Sequence, residues 1–407
     1  MRKEDSSLGS EGQIPTLNLF NMSSKPLNVL YLDGFTVQGK DYDASDAIGY
    51  GITASKAIRN GLRKMGYNLI RPKPMPILLK DLNSVRLDWF LKGYKKTLSL
   101  LTTDPPHIIF IFHILQHFPA EIKRMLFDLG LSIPVIGYTH GSHWDPTDTF
   151  RFIKYPEFHI LDLANLYSLD RILVVSHYMR NTLVQNISRF NNEVAEEIEK
   201  KIDVVGLPID IRFIDRFYTN ERFKRTTVVF NHSLLPGKNP GLFFKVMERM
   251  LKDYEVNFVV TRRLSVNEPY YNQVEKLKRS YPEMLVLGNT MSLEDYYKTL
   301  WMADIQVSTA THESLGIATL EAMYTQNCCI LPSLGSYPEI SDGIKEILYE
   351  YGEDGLYEKL AYFIVRSEER KEIATRLRQV SHKYSPANVV SNISKVIEGF
   401  ELRKGPC

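Results

Sequence analysis

Short apolar runs recur along this chain, and longer segments with apolar residues at helical spacing separate them. Runs of this length and composition are typical of strands buried on both faces of a parallel sheet. They fall at 28–32, 107–113, 134–138, 171–176, 202–205, 227–230, 257–261, 305–308 and 328–331. Helical spacing marks the segments 52–67, 177–187, 292–303 and 387–402. Buried strands that alternate with helices predict an α/β protein built on parallel sheets.

The segment 302–340 is the most informative part of this pattern, because it predicts a strand, a loop, a helix and a second strand in succession. Ser314 can cap the helix, which we expect to begin near Leu315. Parallel strand–helix–strand units present ligands at the carboxyl ends of their strands. His312 and Glu313 occupy that position and are therefore candidate site residues.

Two glutamates carry the candidate chemistry of this segment. Glu313 lies in the loop before the free backbone N–H groups of the helix, and Gly316 leaves that turn uncovered, so that an anion can approach. Glu321 borders the apolar face of the helix, where a carboxylate needs hydrogen-bond donors such as sugar hydroxyls. The alternative is that Glu313 is a solvated loop carboxylate and that Glu321 pairs with a nearby Lys or Arg.

A second group of polar residues follows the predicted strand 134–138. His140 lies at the end of this strand, and His143 and Asp145 are candidate partners beside it. We expect no metal ion there, because no matching third ligand lies near the two histidines. The sequence therefore predicts the rim of a binding site at this strand end.

A glycine-rich turn precedes the first predicted helix, at Gly49-Tyr50-Gly51. Turns of this kind between a strand and a helix cradle phosphates in many folds. They also occur where a tight turn simply needs small residues. Both interpretations stay open from the residues alone.

Length, charge and cysteine content limit the kinds of protein that this chain can be. At 407 residues the chain is long enough for two domains. Lys and Arg number 50 and Asp and Glu 48, and the resulting net charge of +2 neither favours nor excludes a nucleic-acid partner. Three cysteines cannot form a disulfide framework, and the sequence shows no apolar run of about 18 residues and no signal-peptide h-region. We therefore expect a cytoplasmic protein.

Two segments of the first half have other possible roles. Residues 1–25 are polar and lack periodicity, which predicts a disordered tail. The helix predicted over 86–101 mixes aromatic residues such as Trp89 with lysines such as Lys95. It either lies on an anionic membrane surface or faces the core with solvated lysines, so a peripheral membrane contact stays open.

The segment His-Glu-Ser-Leu-Gly-Ile-Ala-Thr-Leu-Glu-Ala-Met, followed by a strand and by Gly-Ser-Tyr-Pro-Glu-Ile, resembles the donor-site signature of retaining glycosyltransferase family 4, among the glycosyl transferases group 1. The resemblance implies the GT-B fold, an α/β architecture in which two Rossmann-like doubly wound domains face each other across a cleft. It implies that Glu313 contacts the donor sugar and that Glu321 binds the nucleotide ribose. The diphosphate would rest on the start of the helix, formed by Ser314, Leu315, Gly316, Ile317 and Ala318.

The same resemblance assigns roles in the first half of the chain. A His-Gly or His-Asp pair in the family contacts the sugar or the acceptor, which implies that role for His140. The turn with Gly49 and Gly51 would help to shape the site that faces the diphosphate. The resemblance thus places His140 among the catalytic residues, and Gly49 and Gly51 among the residues that bind the donor.

One departure from the family pattern concerns the donor diphosphate. Lys238 stands where the family has a phosphate-binding lysine, but Ser233 occupies the position of the arginine five residues earlier. Losing such a positive group can cost on the order of 3 kcal/mol of barrier. Arg262 and Arg263 close the strand 257–261 at the same sheet edge. One of them can supply the missing guanidinium, or both are solvated arginines.

The resemblance also predicts the domain organisation. After the tail come an acceptor-side domain over 26–207, a nucleotide-sugar-binding domain over 208–385, and a final helix over 386–402 that crosses back to the first domain. The Gly-Leu-Pro-Ile-Asp segment at 206–210 resembles the junction between the two domains.

These inferences predict a retaining, metal-independent hexosyltransferase that needs no cofactor, since the nucleotide-sugar is a substrate. Its acceptor is open among a glycan, a lipid, a small molecule and tRNA. The tRNA option rests on the run 231–240 and on Tyr-Pro-Glu-Ile, which resemble a branch that includes the queuosine-tRNA mannosyltransferases. Because Ser233 replaces the arginine, a catalytically weakened nucleotide-sugar-binding scaffold is the alternative. The donor base, the sugar and the oligomeric state stay open.

Overall fold

A computed structural model describes residues 26–33, 50–72, 97–114, 118–148, 158–287 and 291–401 of the chain. Its strands are β1 (Asn28–Leu32), β2 (Asn68–Ile70), β3 (Ile108–Phe112), β4 (Val135–Thr139), β5 (Arg171–Val174), β6 (Ile202–Val204), β7 (Thr227–Phe230), β8 (Asn257–Val260), β9 (Leu285–Leu287), β10 (Ile305–Val307), β11 (Cys328–Pro332) and β12 (Leu348–Tyr349).

Its α-helices are α1 (Tyr50–Lys64), α2 (Pro119–Asp128), α3 (Phe158–Ser168), α4 (His177–Phe190), α5 (Asn192–Glu199), α6 (Ile211–Asp215), α7 (Pro240–Asp253), α8 (Tyr271–Ser280), α9 (Leu293–Met302), α10 (Ile317–Tyr324), α11 (Tyr337–Ile340), α12 (Glu353–Val365), α13 (Ser367–Ser381) and α14 (Pro386–Glu401).

The described strands form two six-stranded sheets, and every pairing in both is parallel. The first sheet has the order β2-β1-β3-β4-β5-β6, and the second has the order β12-β11-β10-β7-β8-β9. The central strands β3, β4 and β7 are fully buried, as their mainly apolar sequences require. The predicted α/β architecture of two doubly wound Rossmann-like domains is confirmed.

Each sheet contains a point at which the strand order reverses. In the first sheet the chain adds β2 on one side of β1 and then β3 on the other side. In the second sheet it adds β8 and β9 on one side of β7 and then β10 on the other side. Ligands of doubly wound sheets bind outside the carboxyl ends of the strands at such points. The segments after β1, β3, β7 and β10 therefore define where a site is expected.

The last helix returns to the first sheet. Helix α14 packs against α1, where the side chain of Val390 fills the space above Gly61 and the Tyr67 hydroxyl lies 2.7 Å from Ser394 Oγ. The segment that precedes α14 runs beside the connection between the two sheets, because the amide of Ile209 donates to the carbonyl of Tyr384 (3.0 Å). The chain thus passes between the two sheets twice, and the two connecting segments lie side by side.

Several sequence-based predictions fall outside the described residues. They include the disordered tail, Gly49 and most of the helix predicted over 86–101. Gly51 lies in the first turn of α1. Within the described ranges, no helix combines the length and the apolar character needed to cross a membrane. Cys328 and Cys329 are buried thiols in β11.

Candidate active site

Lys238 and Glu313 meet at the reversal point of the second sheet. Lys238 ends a short 3-10 helix after β7, and Glu313 lies in the loop after β10. The Lys238 Nζ lies 2.5 Å from Glu313 Oε2 and donates to the carbonyl of His312 at 3.1 Å. Burial alone would raise the pKa of Glu313, but the charge of Lys238 and its hydrogen bond to the carboxylate hold this pKa below its ordinary value. The two side chains form an ion pair with opposite charges.

Two glycines give the loop around Glu313 its shape. Gly335 has φ +60°, and a Cβ there would lie 2.9 Å from the carbonyl oxygen of Glu313. That carbonyl accepts a hydrogen bond from the amide of Ser336 (3.1 Å). Gly316 has φ +93°, and its Cβ would lie 3.3 Å from Glu313 Cγ. Both positions need glycine because the backbone is left-handed and the neighbouring chain is close.

The expectation that Ser314 caps a helix beginning near Leu315 is wrong. Gly316 is the N-cap of α10 and has a left-handed, non-helical backbone, so the helix begins at Ile317. The Ser314 hydroxyl instead donates to the carbonyl of His140 at 2.9 Å, in the first domain. Ser314, Leu315 and Gly316 therefore lead into α10, which begins at Ile317, at the boundary between the two domains.

Glu321 is held by two tyrosines of α9. The Tyr296 hydroxyl donates to Glu321 Oε2 (2.7 Å), and the Tyr297 hydroxyl donates to Oε1 (2.8 Å). Burial raises the pKa of Glu321, and the tyrosine hydrogen bonds and the charge of Arg262 oppose this increase. The alternative in which a Lys or Arg pairs with this carboxylate is replaced by a tyrosine pair. This tyrosine pair was not predicted, although Tyr-Tyr stands in the helix that precedes the segment with Glu313 and Glu321.

Of the two arginines after β8, Arg262 faces this region. Its guanidinium carbon lies 5.8 Å from the centroid of the Tyr296 ring. Burial and the charge of Lys238 lower the pKa of His232 to about 3, and Arg262 contributes to the same effect. Arg263 is exposed to solvent, as is Arg262. Half-buried Ser233 lies on the segment between β7 and Lys238.

Asn231, His232 and Gln306 form a polar floor between β7 and β10, which we did not predict from the sequence. The Asn231 amide donates to the carbonyl of Ala318 (2.7 Å) in the first turn of α10. The Gln306 amide nitrogen lies 3.1 Å from His232 Nε2 and 3.2 Å from Asn231 Oδ1. All three polar residues of this floor are buried. Gln306 interrupts the apolar run of β10, and that interruption was the available signal.

On the first domain, His140 follows β4 and stacks on a second histidine. The rings of His113 and His140 are 3.9 Å apart between centroids. His113 follows β3 and has φ +68°, a left-handed conformation that few non-glycine residues adopt. The predicted partners of His140 lie elsewhere, since His143 Nδ1 lies 3.7 Å from Asp162 Oδ2 and Asp145 faces the second domain. In the described part of the chain, no three metal-ligating side chains converge.

A second polar group also lies near the reversal point of the first sheet. Asp33 follows β1 and accepts hydrogen bonds from Ser55 Oγ (2.8 Å) and Arg71 Nε (2.7 Å), and Arg59 Nε lies 3.1 Å from the same carboxylate. Arg59 is buried on α1. Charged residues therefore anchor α1, the helix that contains Gly51, to the end of β1.

The two domains touch each other through backbone groups beside this site. Ser176 Oγ donates to the carbonyl of Ser314 at 2.6 Å. Glu339, in the Tyr-Pro-Glu-Ile segment, accepts hydrogen bonds from the amides of His177 and Tyr178 at 2.9 Å each. These amides begin α4, so a carboxylate of the second domain occupies the N-terminus of a helix in the first.

A further contact is the cross-cleft cluster, which we define as Asp145, Thr147, Asp148 and Tyr178 of the first domain with His312 of the second. Thr147 Oγ1 lies 2.8 Å from His312 Nδ1, and Asp145 Oδ2 lies 3.4 Å from the same nitrogen. Asp148 Oδ2 lies 3.8 Å from His312 Nε2. The residue before Glu313 is thus held by the opposite domain.

Comparison with known proteins identifies the class of domain that carries this site. Residues 212–380 match the model of a family described as glycosyl transferases group 1. This match covers the second sheet, Lys238 and both glutamates. The chain therefore contains a glycosyl transferases group 1 domain, as its sequence predicts.

A curated relative and solved structures extend this comparison. A tRNA-queuosine alpha-mannosyltransferase of Drosophila melanogaster is 28% identical over 207 residues, which cover 46% of this chain and 53% of that protein. The chain thus spans about half the length of this relative. Sucrose-phosphate synthase from Thermosynechococcus elongatus superposes with a TM-score of 0.69 at 11% identity, over 93% of this chain and 100% of the other. A glycosyltransferase from Rickettsia africae ESF-5 gives 0.67 at 14%, over 94% and 100%. The fold is GT-B.

Proposed function

We propose that this protein is a retaining glycosyltransferase that moves a sugar from a nucleotide-diphosphate sugar to an acceptor hydroxyl, without a metal ion or a cofactor. The observation that carries the proposal is the Lys238–Glu313 ion pair at the reversal point of the second sheet. It joins a cation for a diphosphate to a carboxylate for sugar hydroxyls, beside the start of α10.

In the proposed reaction, the bond between the anomeric carbon and the diphosphate oxygen breaks while the acceptor oxygen bonds to the same face of the sugar. The acceptor proton passes to the departing diphosphate. Positive charge develops on the sugar ring and negative charge on the leaving group. Lys238 and the backbone amides around Leu315 would stabilise the leaving group, and Glu313 would orient the sugar hydroxyls.

Arg262 is the residue that we propose as the second cation for the diphosphate. Ser233 stands where the resembled family has an arginine, and Arg262 directs its charge towards Glu321, Tyr296 and His232. Arg263 is its neighbour on the same loop and provides a matched comparison.

Glu321 would bind the ribose while the tyrosines hold it in place. An ionised carboxylate has about four lone-pair sites, so two tyrosine hydroxyls leave acceptor capacity for a ribose diol. On the first domain, His140 would contact the sugar or the acceptor, because it lies at the strand end that faces Ser314.

The experiment is a donor panel. Purified protein is incubated with UDP-, GDP- and ADP-sugars, with and without cell extract as a source of acceptors, and release of nucleoside diphosphate is measured. We expect one donor to give extract-dependent release that a Lys238→Ala variant loses. Equal release by parent and variant for every donor would overturn the proposal. Donor binding in a thermal-shift assay, with no release by either protein, would favour the alternative of a catalytically weakened scaffold.

A tRNA acceptor is the second candidate, and the likeness to a tRNA-queuosine alpha-mannosyltransferase favours it. In the same assay, total tRNA replaces the extract, either intact or after ribonuclease digestion. Transfer of radiolabelled sugar to intact tRNA alone would support this acceptor. Transfer to extract that has been cleared of RNA, with none to tRNA, would assign the acceptor to the other classes.

A further inference from the structure

The donor and acceptor roles of hydrogen bonds determine how His312 is held in the cross-cleft cluster. The Thr147 hydroxyl has one proton, and its shortest contact is with Asp145 Oδ1 at 2.6 Å. It therefore donates to Asp145 and accepts from its other neighbours. Those neighbours are His312 Nδ1 at 2.8 Å and the Tyr178 hydroxyl at 3.2 Å. This arrangement requires a proton on Nδ1 of His312.

The rest of the cluster fixes the threonine and places a carboxylate near the second ring nitrogen. The amide of Thr147 donates to Asp145 Oδ1 at 2.9 Å, so that the turn from 145 to 148 is closed on itself. Asp148 Oδ2 lies 3.8 Å from Nε2 of His312 on the other side of the ring, which is too far for a direct hydrogen bond. The side chain of His312 is 15% exposed, and those of Asp145 and Asp148 are 6% and 9% exposed. Burial strengthens hydrogen bonds to charged groups.

His312 also contacts the proposed chemistry through its backbone. Its carbonyl accepts the hydrogen bond from Lys238 Nζ, and the next residue is Glu313. One residue therefore contacts the first domain with its side chain and the proposed diphosphate cation with its carbonyl. Movement of the first domain away from the second would remove the partners of this ring and free the loop.

We propose that His312 is a positioning residue: its imidazole, held by Thr147 and Asp145, sets the loop so that Lys238 and Glu313 reach their working positions only when the two domains are together. The kinetic part of this inference rests on the proposed glycosyltransferase function. The part that concerns domain closure does not.

The kinetic arm compares His312→Ala with His312→Gln, whose amide can still donate to Thr147. Misplacement of reacting groups by about 1 Å can cost roughly 100-fold in rate. We expect His312→Ala to lower kcat by roughly 10- to 100-fold while the donor KM changes less than about threefold, and His312→Gln to recover part of kcat. His107→Gln, at an exposed histidine at the opposite end of β3, is the matched control. An unchanged kcat in His312→Ala would overturn the proposal.

A double-mutant cycle tests the contact itself. If the imidazole acts through Thr147, adding Thr147→Ala to His312→Ala should cost little beyond either single change. Independent, additive losses would show that the two side chains act separately and would contradict the inference.

The closure arm needs no turnover. Spin labels are placed at two exposed positions in a Cys407→Ser background, through Phe127→Cys in the first domain and Val365→Cys in the second. The distance between the two labels is measured in the protein without nucleotide and again with UDP or GDP. We expect one dominant distance in the parent and a broader, longer distribution in His312→Ala. Identical distributions would overturn the proposal, whereas failure of the donor panel would leave this result standing and would reject the proposed function alone.

Discussion

At the scale of single residues, the Lys238–Glu313 pair determines how much charge is available to a ligand. The ammonium already contacts a carboxylate, so the diphosphate of the proposed donor would share it. In the proposed reaction, such a cation still stabilises charge that develops on the leaving group. The contribution of Lys238 should therefore appear mainly in kcat, the rate of the chemical step.

Lys238→Ala tests this reasoning. Charge grows on the diphosphate as the glycosidic bond breaks, so kcat should fall by roughly 100-fold or more. Lys245→Ala, at an exposed lysine of α7, is the control and should behave like the parent. Steady-state kinetics with the donor found in the panel provides the measurement. An unchanged kcat would remove Lys238 from the diphosphate site.

Arg262 and Arg263 allow a sharper comparison, because they are adjacent and only Arg262 contacts the tyrosine that holds Glu321. We expect Arg262→Ala to lower kcat/KM by about 10- to 100-fold and Arg263→Ala to change it less than about threefold. Ser233→Arg should rescue part of the loss in Arg262→Ala, since both guanidiniums would reach one diphosphate. If neither arginine matters and Ser233→Arg accelerates the parent, the site lacks a second cation and the scaffold alternative gains support.

At the scale of elements, α9 and α10 act together, because tyrosines of one helix hold the glutamate of the other. Glu321→Ala should weaken donor binding by roughly tenfold, the value of one hydrogen bond to a charged group. It should change kcat less than about threefold, since a ribose contact is present in ground and transition states alike.

Titration calorimetry with the donor and steady-state kinetics measure the two quantities for Glu321→Ala. Tyr297→Phe removes one of the two donors to Glu321 and should give a smaller loss of affinity. Equal donor affinity in Glu321→Ala and in the parent would exclude Glu321 from the site.

At the level of elements, the sequence predicted those features that are determined by residues close together along the chain. The buried apolar runs became the central strands, because their pattern alone requires burial. The edge strands β2, β9 and β12 were missed: they are two or three residues long and partly exposed. Ser314 was misassigned as a helix cap because its partner, His140, is distant in the sequence. The tyrosine pair was missed for the same reason.

At the scale of the whole molecule, the two domains contact each other through hydrogen bonds beside the candidate site. The Ser176–Ser314 and Ser314–His140 hydrogen bonds link strand ends of the first sheet to the start of α10. Sequence patterns do not encode such contacts, because each partner looks like an ordinary loop or cap residue. Only the resemblance to a two-domain family indicated that the halves would face each other.

Glu339→Gln tests this interface. The carboxylate stabilises the N-terminus of α4 from the opposite domain, and loss of its charge should weaken that contact by about 0.3–1 kcal/mol or somewhat more. Hydrogen exchange at the amides of His177 and Tyr178 should become faster than in the parent. Glu358→Gln, an exposed change on α12, is the control. Unchanged exchange at both amides would show that Glu339 does not hold the domains together.

The close approach of Gly335 to the carbonyl of Glu313 affects how natural variation in this chain should be interpreted. A position without a side chain attracts no attention in a survey of charged or aromatic residues, and an alanine scan often leaves glycines out. Here any added Cβ would displace the backbone that bears the glutamate, in a left-handed conformation that few other residues accept. An inherited substitution at Gly335 should therefore have the same effect as a change in the loop that carries Glu313.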